Sequence, residues 1–146
     1  MAKVGIFETP PKKWFDFDPD TEVLIQHVDK EAMARLLKQA GEAAQKVKAK
    51  AGVVSDMFLG KAAVHGWRNK KDHDHPGLLL PGGDPLHFSP ENRNTLMTRC
   101  REFSEFVFTT STNAAGFLDD GANGLLDDPA AIETLLGDVP EEDLKN

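Results

Sequence analysis

Ser89-Pro90-Glu91-Asn92 fixes the start of a helix more firmly than any other tetrad in this chain. A serine hydroxyl accepts from the exposed amides of the first turn, and proline fits where no amide bond is needed. The glutamate complements the positive helix end. Leu96, Cys100, Phe103 and Val107 follow at i, i+4, i+7 and i+11, one apolar stripe. Met97, Phe106 and Phe108 widen that stripe beyond a single core-facing seam. The width predicts either a second contact surface or a helix buried on two sides of its own domain. Thr109 to Asn113 are poor helix formers, so the helix is expected to fray or kink there, near residue 110.

Upstream, Trp14-Phe15-Asp16-Phe17-Asp18 alternates apolar and acidic residues. Pro19-Asp20-Thr21 supplies turn chemistry, and Glu22 to Val28 is a second apolar, β-branched run. The two segments predict a β-hairpin over 13–28, with Phe15 and Phe17 on one face and Trp14 on the other. A two-stranded hairpin is marginal alone, so it must pack on helices or on another chain. Asp29 can cap a helix over 30–50 carrying Met33, Leu36, Leu37, Ala40, Ala44 and Val47, with Gly52 as its C-terminal cap. Ser55-Asp56 is expected to cap a second helix over 55–66, which ends at Gly66-Trp67. Arg68 to Gly83, rich in glycine and proline, predicts a loop or an irregular hairpin around Leu78-Leu79-Leu80.

The chain therefore reads as an α+β protein, mostly helical, in which an N-terminal β-hairpin packs on a small helical domain spanning residues 1–118. Residues 119–146 read as an acidic linker followed by a short amphipathic helix carrying Ile132, Leu135 and Leu136 on one face. Charge follows the same division. Residues 1–101 balance at +3 and residues 102–146 at −10. The acidic end repels nucleic acid and anionic membranes, and it either engages a basic partner or stays solvated. No apolar run reaches membrane-spanning length, and the N-terminus lacks a secretory-signal pattern. One cysteine excludes an internal disulfide.

Chemistry is sparse. His73-Asp74-His75, with Asp72, Asp84 and His87 nearby, is the best metal candidate, but a glycine- and proline-rich loop offers no rigid shell for it. Cys100 sits on the apolar stripe, which reads as a buried thiol rather than a nucleophile. His27 and His65 read as core or edge histidines. No phosphate loop, dinucleotide fingerprint or zinc-protease pattern is present. Lys12-Lys13-Trp14 is too short a basic cluster for nucleic-acid binding. The expectation is a protein that is not an enzyme and uses no cofactor and no metal.

The conjunction of Trp14, then Val64-His65-Gly66-Trp67, then Asp84-Pro85-Leu86-His87-Phe88-Ser89-Pro90-Glu91-Asn92, then the Leu96–Val107 stripe resembles the tail assembly chaperones of long-tailed bacteriophages and prophages. The resemblance covers roughly residues 12–110, and the Arg68–Gly83 connector is longer than the family's. It implies a late protein of the host bacterial cytoplasm that binds the tape measure protein, helps recruit tail tube subunits and is absent from the mature virion. Trp14, Phe106, Phe108, Ile132, Leu135 and Leu136 are the candidate partner-binding residues, with a homo-oligomer as a further candidate assembly. Two other readings stand beside it. One is a structural tail-completion or head–tail adaptor subunit retained in the particle. The other is a small metal-dependent enzyme using His73 and His75.

Overall fold

The computed structural model describes residues 1–118, so the expected linker and the helix bearing Ile132, Leu135 and Leu136 lie outside the described residues. The fold is α+β. An antiparallel sheet holds β1 (Lys12–Asp16), β2 (Thr21–Gln26) and β3 (Val64–Asn69) in the order β1-β2-β3. Helices α1 (Lys30–Val47), α2 (Ala51–Ala63), α3 (Pro90–Arg99) and α4 (Arg101–Thr112) build the rest, followed by a 3₁₀ turn at Ala114–Phe117.

The hairpin forms as its alternation demands. Asp18 Oδ1 accepts from the amides of Asp20 and Thr21, closing the turn between β1 and β2. Phe15 and Phe17 face the helices and Trp14 lies on the opposite face.

The third strand corrects the expectation that a helix ends at Gly66-Trp67. Val23, Leu24 and Ile25 are all buried, at 0%, 1% and 0% exposure. A strand covered on both faces needs ladder partners on both edges, because an unpaired buried peptide group is costly. β3 supplies the second edge, pairing Val23 with Trp67 and Leu24 with Gly66. Val64 and Trp67 favour extended backbone, and α2 runs into β3 with no intervening loop. The register shifts between Leu24 and Ile25, which makes His65 the extra residue of a bulge.

The boundary between α1 and α2 also differs. α1 ends at Val47, and Lys48, not Gly52, takes the left-handed conformation at φ 56°. The Ala49 amide donates back to the Ala44 carbonyl, which closes the helix with a Schellman-type bond. The reversal lets α2 fold back so that Val54 reaches Ala40 and Ala44. Gly52 consequently falls in the first turn of α2. Ser55 caps nothing: its hydroxyl donates to the Ala51 carbonyl one turn earlier.

The predicted 89–110 helix is two helices. Cys100 adopts φ −113°, ψ 103°, ending α3 and starting α4, and α4 continues through Thr112 rather than fraying at Thr109. The break rotates the stripe, so the buried residues are Met97, Phe103 and Val107, while Leu96 and Cys100 are only half-buried. α2 and α3 pack against each other at Gly60, where a Cβ would lie 2.6 Å from Met97 Cγ.

Ser89 opens α3 as expected. Its hydroxyl accepts from the Asn92 amide at 3.0 Å, and the Asn92 side-chain amide donates to the His87 carbonyl at 2.8 Å. Ser89→Ala removes only the first of these bonds. The expected cost is about 1 kcal/mol, read as a lower midpoint in urea denaturation. A wild-type midpoint would show that Pro90 and the Asn92–His87 bond hold the helix start by themselves.

Candidate functional site

A groove of about 440 Å³ opens between α1 and α2 beside the end of β2. Ala32, Arg35, Leu36 and Gln39 line it from one face of α1, at i, i+3, i+4 and i+7. Phe58, Lys61 and Ala62 line it from α2, and Phe7 and Pro10 of the N-terminal arm close one end. Its position follows from side-chain size. The two helices pack closely at Ala40, Ala44 and Val54, and the groove lies at the opposite end, where larger residues stand between them. The floor is apolar, with Val28, Leu36, Phe58 and Ala62, whereas the exposed rim carries Arg35, Lys61 and Asp29. Asp29 is engaged as the N-cap of α1, accepting from the Ala32 amide.

His27 forms the wall between the groove and the end of α4. Its Nδ1 lies 2.7 Å from the Ser111 carbonyl oxygen. A carbonyl only accepts, so Nδ1 carries the hydrogen and donates. The same carbonyl accepts from the Val28 amide at 2.9 Å. The imidazole is buried, with the ring of Phe7 5.4 Å away and that of Phe117 5.1 Å away. It is therefore a fixed core histidine that ties β2 to the C-terminal end of α4.

A second surface lies on the outer face of the sheet. Trp14 lies across from Leu24 and over Gly66, where a Cβ would sit 3.7 Å from the indole. The Arg68 guanidinium stacks on the indole at 3.9 Å, and its Nε donates to Glu22 Oε2 at 2.7 Å. Lys70 pairs with Asp16 at 3.0 Å at the end of the same face. The indole Nε1 is buried and has no hydrogen-bond partner among the described residues.

Of the expected binding residues, Trp14, Phe106 and Phe108 fall among the described residues, and they lie on different surfaces. Trp14 is half-buried on the outer face of the sheet. Phe106 packs on the helix side, its ring 5.2 Å from Phe17 and nearly perpendicular to it. Phe108 stands 53% exposed on α4. The domain thus takes up Phe106, and Phe108 alone of this widened stripe remains open to solvent. The groove itself was not visible in the sequence, because its lining comes from three separated segments. The sequence signal for it is the Ala32, Arg35, Leu36, Gln39 face of α1, a mixed apolar and polar face adjoining the core stripe.

The His-Asp-His segment lies in a tight turn. Asn69 Oδ1 accepts from the amides of Lys71 and Asp72, and His75 Nδ1 accepts from the Gly77 amide at 2.9 Å. Among the described residues no group of three or more His, Cys, Asp or Glu side chains is placed to hold a metal ion. No described helix is long and apolar enough to cross a membrane. The Cys100 thiol is half-buried, beside Glu102 Oε2 at 3.5 Å.

The motif segments do meet. Trp67 Nε1 donates to the Leu86 carbonyl at 2.7 Å, and Phe88 packs edge-on against the indole with ring centres 4.9 Å apart. Between them Leu79 and Pro85 bridge, and the Leu86 amide donates to the Leu78 carbonyl, making an irregular hairpin of residues 78–86. Comparison with protein-family models, curated proteins and solved structures found no match to this chain.

Proposed function

We propose that this protein works by binding rather than by catalysis, as a tail assembly chaperone of a long-tailed phage or prophage acting in the host bacterial cytoplasm. Its partner in this reading is the tape measure protein, a long helical rod, and it aids recruitment of tail tube subunits before leaving the assembly. The observation that supports the reading is the union of Gly66-Trp67 with Leu86-His87-Phe88-Ser89 in one packed unit. The residues that carry the family resemblance thus act together to set the start of α3. The groove adds a surface suited to such a partner. Its apolar floor between two helices can take side chains presented at i, i+3 and i+4 by a third helix. No nucleotide is needed, since displacement by tube subunits can drive release.

The test is co-expression with a tape measure protein of a long-tailed phage or prophage. The soluble yield of that protein should rise several-fold and the two should co-purify. No change in yield and no co-purification would remove the reading. Recovery of the chain from purified, finished particles would replace it with a structural tail-completion or head–tail adaptor role.

A further inference from the structure

We infer that the groove between α1 and α2 is the docking site of this chain's own C-terminal segment, through Ile132, Leu135 and Leu136. Three observations converge on that occupant. The first is where the described chain ends. Phe117 packs against His27, the groove wall, and Leu118 is the last described residue. The last described residues therefore sit beside the groove wall and not on a remote face of the domain.

The second is reach. Thirteen residues lie between Leu118 and Ile132. A chain of that length reaches about 45 Å when fully extended, so the groove lies within its reach. Tethering at this length gives an effective concentration on the order of millimolar, so even a weak groove is occupied in cis.

The third is complementarity. Residues 119–146 hold one lysine and nine acids, a balance of −8. The exposed rim of the groove presents Arg35 and Lys61 against one acid, Asp29, a balance of +1. The floor is apolar, and Ile132, Leu135 and Leu136 form an i, i+3, i+4 face flanked by Asp128, Glu133 and Asp138. An apolar face in an acidic frame matches an apolar floor in a basic rim.

Docked there, the segment covers a surface that a partner helix would otherwise use. That competition rests on the function proposed above; the docking does not. The test uses the full chain, labelled with ¹⁵N, beside a variant carrying Ile132→Ser, Leu135→Ser and Leu136→Ser. The amide resonances of Ala32, Leu36 and Ala62 should move between the two proteins, while the Trp14 indole resonance stays in place. The wild-type positions should not change over a hundredfold dilution. Reversing the rim with Arg35→Glu and Lys61→Glu, both exposed positions, should move the Thr134 amide toward its position in a free peptide of residues 119–146. Unmoved groove amides overturn the inference, and so does an unmoved Thr134. Groove shifts that fade on dilution would assign the site to a second copy of the chain instead. No tape measure protein enters this experiment, so its failure is read apart from failure of the chaperone reading.

Discussion

Replacing Trp67 with alanine should remove about 3–5 kcal/mol of stability, the usual range for emptying a buried aromatic site. The indole is 5% exposed and joins three parts of the fold. Its ring meets Phe103 of α4 at 5.8 Å and Phe88 at 4.9 Å, and its Nε1 holds the Leu86 carbonyl. A domain of this size has a total stability of about 5–15 kcal/mol, so the variant should be close to unfolding at room temperature. Trp67→Phe separates packing from hydrogen bonding. It retains aromatic contact with Phe88 and Phe103 but leaves the Leu86 carbonyl without its donor, which costs about 1–3 kcal/mol. Urea denaturation followed by far-UV circular dichroism should rank wild type above Trp67→Phe and Trp67→Ala last. A Trp67→Ala midpoint near that of wild type would mean that residues 78–89 are held by something other than the indole.

How far the sequence foretells this fold depends on how local each determinant is. The hairpin, the Asp29 cap and the Ser89 cap are written in adjacent residues, and all three form where the pattern puts them. The third strand is not local. Nothing in Val64-His65-Gly66-Trp67 alone outweighs the small helix-forming residues before it. The strand exists because β2, apolar on both faces, leaves an edge that must be paired. The same limit explains Cys100. Spacing of four, three and four residues fits an unbroken helix, but Met97 meeting Gly60 and Phe103 meeting Trp67 call for two helix directions. Local sequence favours Gly52 as a helix end, yet Lys48 takes the left-handed position, where the chain reverses to pack Ala40, Ala44 and Val54 together. The groove is legible least of all. Each lining residue has an ordinary local reason to be where it is, and only the tertiary arrangement places Phe7, Leu36 and Phe58 around one space.

The connector's ordered path leads to a further large effect, at Gly77. This residue has φ +80°, a conformation that costs a residue with a Cβ about 1–2 kcal/mol. Space is also lacking. A Cβ there would lie 2.9 Å from the Arg68 carbonyl carbon, the Asn69 nitrogen and Thr21 Cγ2. Two of those atoms belong to the backbone of β3 and cannot turn aside, so overpacking adds about 1–3 kcal/mol. Gly77→Ala should thus cost roughly 3 kcal/mol in chemical denaturation. Gly83 provides the control within the same connector. Its φ is +97°, but a Cβ there meets nothing within 4 Å, so Gly83→Ala should show only the conformational cost, about 1–2 kcal/mol. The consequence reaches the outer face of the sheet. The Gly77 carbonyl accepts from Thr21 Oγ1 at 2.8 Å, and the backbone it presses on is that of Arg68, whose guanidinium lies on Trp14. Any shift of Arg68 to make room for the methyl group should alter the environment of Trp14. The tryptophan emission maximum should move in Gly77→Ala and stay in place in Gly83→Ala. Equal losses of stability in the two variants would show that the connector yields freely, and that contact with β3 does not fix its course.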